Sequence, residues 1–328
     1  MRFVAEHAIA GIPNVVVDGS PNPDTVLTLS HWPGSPTPPL LRDDLSAQIA
    51  FHALAQPTLF DGIEAVTSNH FDQDGAAAMF ALLQPAAAIG RREQLIDVAR
   101  AGDFGTFATR DMARVAMTLA ALDDDEMSPL PSADLDQPYP LRCGALYEWA
   151  LPRLTDMIDH PGRWRDLWAD EDDHLGASLD AIAAGKITIT EYPDVDLAVV
   201  EVPDSWRSQA THRFTRGETA AVHPMAVNNS TNRLRIVVVH GGRYHLELRY
   251  ESWVMLTSRA ALPRPDLTLL AATLTAEDTA AWHADEPGDL TPRLQADGDS
   301  SLSPTAFVDR VRRFLATARP AWDPFDPT

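Results

Sequence analysis

Between Pro13 and Phe71 the chain writes three short apolar runs, PNVVVDG, TVLTLSHW and EAVTSNHF, each closed off by turn-forming residues. Runs of this length and bounding are the pattern of buried strands. Between the second and third, RDDLSAQIAFHALA (42–55) has the apolar spacing of an amphipathic helix. Further helices are expected from Gly75 through AAAMFALL and over RREQLIDVARAG (91–102). Strands that alternate with helices leave few solutions, and the simplest is a mostly parallel sheet with helices packed on its faces. Functional groups in such sheets gather at the carboxyl ends of the strands. The three runs end at Asp18, at His31 and near His70, which puts three polar side chains at one edge of the expected sheet.

At 328 residues the chain exceeds what a single core sustains, so two domains of unequal size are expected. LDDDEMSPLPSADLDQPYPL (122–141) is acidic and proline-rich and reads as a surface connection. A helical stretch follows from Tyr147, broken at Pro161-Gly162 and ended at Gly185. From Lys186 the pattern turns to strands: KITITEY, DLAVVEVP, then RLRIVVVHGGRYHLELRYESWVML, whose Gly241-Gly242 marks a hairpin turn. FVDRVRRFLATA near the end is a short amphipathic helix. The expected plan is therefore α/β: a parallel-sheet N-terminal domain with flanking helices and a helical linker over 1–184, and a smaller α+β domain over 185–328.

The stretch TSNHFDQDGAAAMFALL (67–83) sets His70, Asp72 and Asp74 at every second position. In extended backbone these side chains would face one point while Phe71 and Gln73 face away. An imidazole and two carboxylates converging there make a hard, oxygen-rich site suited to manganese, magnesium or iron. Gly75 would let the chain turn into a helix whose first amides could seat a phosphate. The plainer reading is that Asp72 and Asp74 cap that helix and His70 fills a polar turn, although capping needs only one aspartate. Asp18 could be the turn-forming half of an Asp-Gly pair, and His31 could order the proline-rich loop after it. Asp103, after a helix ending at Ala101-Gly102, is either a further ligand or another turn residue.

Other motifs fail on spacing. A calcium loop starting at His70 would need glutamate where Ala81 stands. Asp103-Phe104-Gly105 spells the kinase magnesium triplet without the glycine-rich and catalytic loops that give it meaning. No GxxxxGK[ST] and no GxSxG occurs, so phosphate-loop and serine-hydrolase mechanisms lack their central parts. With Cys143 the only cysteine, there can be no internal disulfide and no thiolate zinc cluster. A formal charge of −21 repels a phosphate backbone, which argues against tight non-specific nucleic-acid binding. No apolar run approaches the length of a membrane span, and MRFVAEHAIAG lacks the layout of a signal peptide, so a cytoplasmic chain that does not enter membranes is expected. No motif encodes an oligomeric state, and a homodimer is allowed.

SNHFDQDGAAAM (68–79) resembles the first motif of the DHH phosphoesterase superfamily, H-x-D-x-D-G followed by small residues, and also that of the related MYG1-type proteins. LIDVARAGDFG (95–105) looks like that group's second aspartate motif, which makes Asp103 the matching position. RPDLTLLAATL is distantly similar to a segment of its DHHA1 substrate domain. The namesake Asp-His-His triplet does not occur, and neither does the GGGH of the substrate domain. The resemblance implies a two-manganese hydrolase, with magnesium or another divalent ion as substitutes. On that reading His70, Asp72, Asp74 and Asp103 are ligands, Asp18 and His31 supply those that are missing, and Asp74, bridging the ions, and His31 carry the catalytic assignment. The substrate would be a small anionic phosphate ester or nucleotide, with Arg243 and Arg249 as candidate clamps. Two alternatives stand beside it: a binding or regulatory protein that has lost catalysis, and a metal-dependent hydrolase of a bond other than a phosphate ester.

Overall fold

The computed structural model describes residues 1–211 and 218–327. The chain divides into two compact units, one built on Met1–Asp172 and the other on Asp173–Ala210 with Thr219–Thr328. The division falls inside the helix Ala169–Ala183, ahead of the boundary near 185 suggested by the change to strand-forming sequence. The reason lies in packing. Ala181 is buried among Ile187, Ala198, Val200 and Val202, with Ile182 against the same cluster, so the end of the helix belongs to the second core.

The first unit has the expected parallel sheet. Its strands β1 (Arg2–Phe3), β2 (Asn14–Val17), β3 (Thr25–Leu29) and β4 (Ala65–Thr67) lie in the order β1-β4-β2-β3, every neighbouring pair parallel. Val15, Val16 and Val17 are all buried, which is what a strand covered on both faces requires and why the run is continuously apolar. Helix α1 (Ser46–Leu54) follows β3, and α2 (Gln73–Leu83) follows β4. Ala76, Ala77, Ala78 and Ala81 of α2 are fully buried, and their small side chains let neighbouring elements approach the helix from all sides. The unit's other long helices are Arg92–Asp103, Arg110–Ala121 and Tyr139–Ala150. The acidic excursion before the last of these is ordered around Arg142, whose buried guanidinium bonds to Asp123, to Asp125 at 2.9 Å and to the Leu135 carbonyl at 2.8 Å.

The second unit holds a six-stranded mixed sheet in the order Trp282–Ala284, Arg293–Ala296, Arg243–Leu248, Arg235–His240, β6 (Leu197–Val202), β5 (Thr188–Tyr192). All pairs are antiparallel except β6 with Arg235–His240. The hairpin at Gly241-Gly242 forms as expected, with Gly241 at φ 58° and His240 opposite Arg243. Leu270, Leu274, Phe307 and Val311, from helices Thr268–Glu277 and Pro304–Thr317, cover one face of the sheet. The strands WHA and RLQA were not legible as strands: they are short and polar, and they persist because each finds a paired neighbour. Among the described residues no helix is long and apolar enough to cross a membrane.

Cys143 lies on the buried side of Tyr139–Ala150, where burial pushes its thiol up to about 12. The thiolate is the reactive form, so the native protein should give no reaction with Ellman's reagent at pH 8, and one thiol per chain in guanidinium. Fast labelling of the native state would contradict the packing of this helix.

Candidate metal centre

The ends of β2, β3 and β4 deliver Asp18, His31 and His70 to one place. Asp18 follows Val17 directly and turns out of the strand at φ 45°. The left-handed region costs an L-residue roughly 1–2 kcal/mol, and aspartate is among the few that enter it. Two loops hold it there. Ser68 Oγ donates to the Asp18 carbonyl at 3.2 Å, Ser20 N donates to Asn69 Oδ1 at 3.3 Å, and a Cβ at Gly19 would overlap the Asn69 amide.

Two groups of ligand-type atoms result, and they share Asp18. Asp18, His31 and Asp74 form the inner group, all buried; Asp18, His70 and Asp72 form the outer group, in which His70 and Asp72 are partly exposed. Within each, one ligand atom per residue lies within 4.8 Å of the others. His31 Nε2 stands 3.4 Å from Asp18 Oδ1, 3.8 Å from Asp74 Oδ2 and 3.3 Å from Asp103 Oδ2. His70 Nε2 stands 3.2 Å from Asp18 Oδ2 and 2.8 Å from Asp72 Oδ2. All six side chains singled out in the sequence for metal binding, Asp18, His31, His70, Asp72, Asp74 and Asp103, therefore converge.

The way they converge differs from the ladder drawn from the sequence. Helix α2 starts at Gln73, so the alternation ends at Asp72 and Asp74 arrives through a helical turn. Asp72 is the N-cap, and its Oδ1 accepts from Gly75 N at 2.8 Å. That bond, with the one from Ala76 N to the Asp72 carbonyl, takes up two of the amides at the start of the helix. Asp74 caps a different helix: Ser46 N donates to its Oδ2 at 2.6 Å and Ala47 N to its Oδ1 at 2.7 Å. The N-cap of α1 is Leu45, which offers no side-chain cap, so this cap comes from α2. Of the two aspartates read as possible caps of the helix after Gly75, Asp72 caps it, while Asp74 caps α1 and also lies in the inner group. The shared carboxylate is Asp18, where the sequence pointed to Asp74 as the bridge. Gly75 is helical and serves space rather than a turn, because a Cβ there would overlap the Tyr147 hydroxyl.

The electrostatics are those of a site holding too much negative charge. Burial works against the Asp18 anion, but hydrogen bonding to His31 and the charge of His70 outweigh it and hold the carboxyl well below the usual range. Burial and then the Asp18 charge raise Asp74 to about 8, and the same two causes raise Asp72. Burial opposes the imidazolium of His31, yet Asp18 lifts it to about 9; Asp72 and Asp18 likewise raise His70 against its burial. Asp18 Oδ2, buried, accepts no hydrogen bond among the described residues and meets only His70 as an ionic neighbour. Carboxylates and imidazoles in this proportion fit divalent ions that prefer oxygen and nitrogen.

The expected substrate arginines do not match their role. Arg249 is buried, and its guanidinium is committed to Glu251 and to the carbonyl of Thr231 at 3.1 Å. The strand ends at Leu248, and Arg249, just beyond it, is turned inward. Arg243 sits exposed at the hairpin beside Asp299 at 3.3 Å. Sequence reasoning missed Ser46, whose Oγ donates to Asp18 Oδ1 at 2.8 Å, and Tyr147, whose hydroxyl donates to the His70 carbonyl at 2.8 Å. It also missed Trp32, whose ring centroid lies 4.8 Å from that of His70. Only Ser46 left a signal, a serine at the head of the apolar run SAQIAFHAL.

Compared with known proteins, residues 1–326 match a family described as a family of unknown function, DUF6687. No curated protein and no solved structure matches the chain.

Proposed function

We propose that this chain, which belongs to the DUF6687 family, is a metal-dependent hydrolase that cleaves a small anionic phosphate ester, in the manner of the DHH-type phosphoesterases whose first motif it resembles. The observation that carries the reading is the pair of ligand groups joined through Asp18. His31, Asp74 and Asp103 with Asp18 would hold one divalent ion, and His70 and Asp72 with Asp18 the other, manganese or magnesium fitting the donor set. Such ions supply Lewis acidity, a lowered pKa for water and neutralisation of phosphoryl charge.

The chain's own groups divide the work. His31, Asp18, Asp74 and Asp103 are closed off from solvent, which suits an ion retained as part of the fold. His70 and Asp72, each 21% exposed in their side chains, form the side at which a substrate oxygen and water can arrive. Trp32 beside His70 limits that approach and would orient an incoming group. Burial raises the strength of every charge interaction here relative to bulk water. Neither Arg243 nor Arg249 is retained as a clamp.

Elemental analysis of protein purified without chelator should find about two divalent ions per chain, a stoichiometry set by the two-ion mode. With added manganese, a panel of phosphodiester, phosphomonoester and amide substrates should show turnover on the phosphate esters alone. Cleavage of an amide only would move the reading to another hydrolase class, and metal without any turnover would favour a binding protein. Chelation should also lower the melting temperature, because an ion bound only by the native state stabilises it by RT ln(1 + [L]/Kd).

A further inference from the structure

Behind the ligands lies one short piece of chain that touches three of them. The stretch Asp44–Ala47 runs into the first turn of α1, and contacts from Asp44, Ser46 and Ala47 end on residues of the inner group. The Asp44 carbonyl meets His31 Nδ1 at 2.5 Å. A carbonyl can only accept, so Nδ1 donates to it and Nε2 is the ring nitrogen that faces Asp18 and Asp103, the one whose lone pair an ion would take once its proton is displaced. Ser46 Oγ donates to Asp18 Oδ1 at 2.8 Å and accepts from His31 N at 3.3 Å. Ser46 N and Ala47 N hold the two oxygens of Asp74 at 2.6 and 2.7 Å. Ser46 itself is fully buried and touches Asp18, His31 and Asp74 at once.

We infer that Ser46 is a positioning residue of the metal centre: its hydroxyl orients the shared carboxylate Asp18 and ties it to the backbone of His31. The inference rests on the reading of the site as a metal centre and adds a residue that no motif contains. The physical ground is general. Ligating carboxylates are aimed by the hydrogen bonds behind them, and losing such a bond costs 10–100-fold in metal affinity. At Asp18 the need is acute, because this side chain is common to both ligand groups and sits at a strained φ of 45°. Without the hydroxyl, Oδ1 keeps the His31 contact alone among the described residues, and the carboxylate gains freedom to rotate away from one group.

The test is Ser46→Ala with Mn2+ as the probe, titrated by the loss of the free-ion electron paramagnetic resonance signal. Both proteins are measured well below the metal-free melting temperature of the variant, so that both are folded. The expected result is a Kd for Mn2+ weakened about 10–100-fold in the variant. Should Ser46→Ala fail to fold, Ser46→Cys, which keeps the volume with a much weaker donor, carries the same test. A variant that melts lower without metal yet binds Mn2+ as the wild type does would make Ser46 merely structural and overturn the inference alone. Failure of the wild type to bind Mn2+ at all would remove the metal reading itself, and the inference with it.

Discussion

Asp18→Asn is expected to strip both ions from the centre and to lower hydrolysis by about 10³-fold or more, since the charge stabilisation that metal ions supply amounts to several kcal/mol and each 1.36 kcal/mol is a factor of ten. The substitution is suited to the question for a conformational reason. Asparagine tolerates the left-handed backbone about as well as aspartate, so the φ of 45° can survive the change. The amide keeps the shape and one oxygen. What it loses is the charge common to the two ligand groups, together with the acceptor on one side. With Oδ1 retained toward Ser46 and His31, the new amide nitrogen would face His70 Nε2 in place of an oxygen 3.2 Å away. Metal content by plasma emission and kcat on the best phosphate ester should fall together while the far-ultraviolet spectrum stays unchanged. Full metal content in the variant would dismiss Asp18 as the shared ligand.

Asp74→Asn, the substitution that the sequence motif suggests first, would answer less cleanly. Both Asp74 oxygens accept amide hydrogens from the start of α1. An asparagine there must point a donor at a donor, so loss of metal and loss of the helix start would arrive together. This is the point at which the sequence stopped being readable. The strand ends could be read because each strand is a local pattern with a local stop: Val17 before Asp18, Leu29 two residues before His31, Thr67 three before His70. Their convergence followed from the parallel sheet, a property of topology rather than of any one residue. The spacing of His70, Asp72 and Asp74 was visible, but its meaning depended on where α2 begins, and helix starts are set by caps that compete. Asp72 won that competition through Gly75 N, which moved Asp74 into helical geometry and onto a neighbouring helix. Ser46 and Tyr147 are the opposite case. Each acts on a residue more than twenty-five positions away, Ser46 on Asp18 and Tyr147 on His70, so nothing local marks them. Arg249 misled because a guanidinium's charge suits an anion clamp, while nothing local shows that it ends up bonded to carbonyls and Glu251.

Tyr147 also gives the second large effect. Its hydroxyl donates to the His70 carbonyl at 2.8 Å, its ring packs edge-on to Phe71 at 4.9 Å, and the same oxygen fills the space where a Cβ on Gly75 would stand. The tyrosine is pinned on both sides and cannot swing aside. Gly75→Ala should therefore destabilise the protein by about 1–3 kcal/mol, the cost of overpacking a tight core. Ordinarily the same change inside a helix gains nearly 1 kcal/mol from propensity. Tyr147→Phe alone should cost about 0.5–1.5 kcal/mol through the lost hydrogen bond. With Tyr147→Phe already in place the obstruction is gone, leaving Asp72 Oδ1 at 3.2 Å as the nearest atom to the new methyl. There the alanine should be close to neutral. Urea midpoints of the two single variants and the double variant would thus fail to add, with a coupling of about 1 kcal/mol or more, of the order seen for residues in direct contact. Simple additivity would mean that Gly75 is required for some reason other than room for the tyrosine. A double variant that regains stability but binds Mn2+ more weakly would separate the two duties of that hydroxyl, since it also helps fix the backbone from which His70 reaches the outer group.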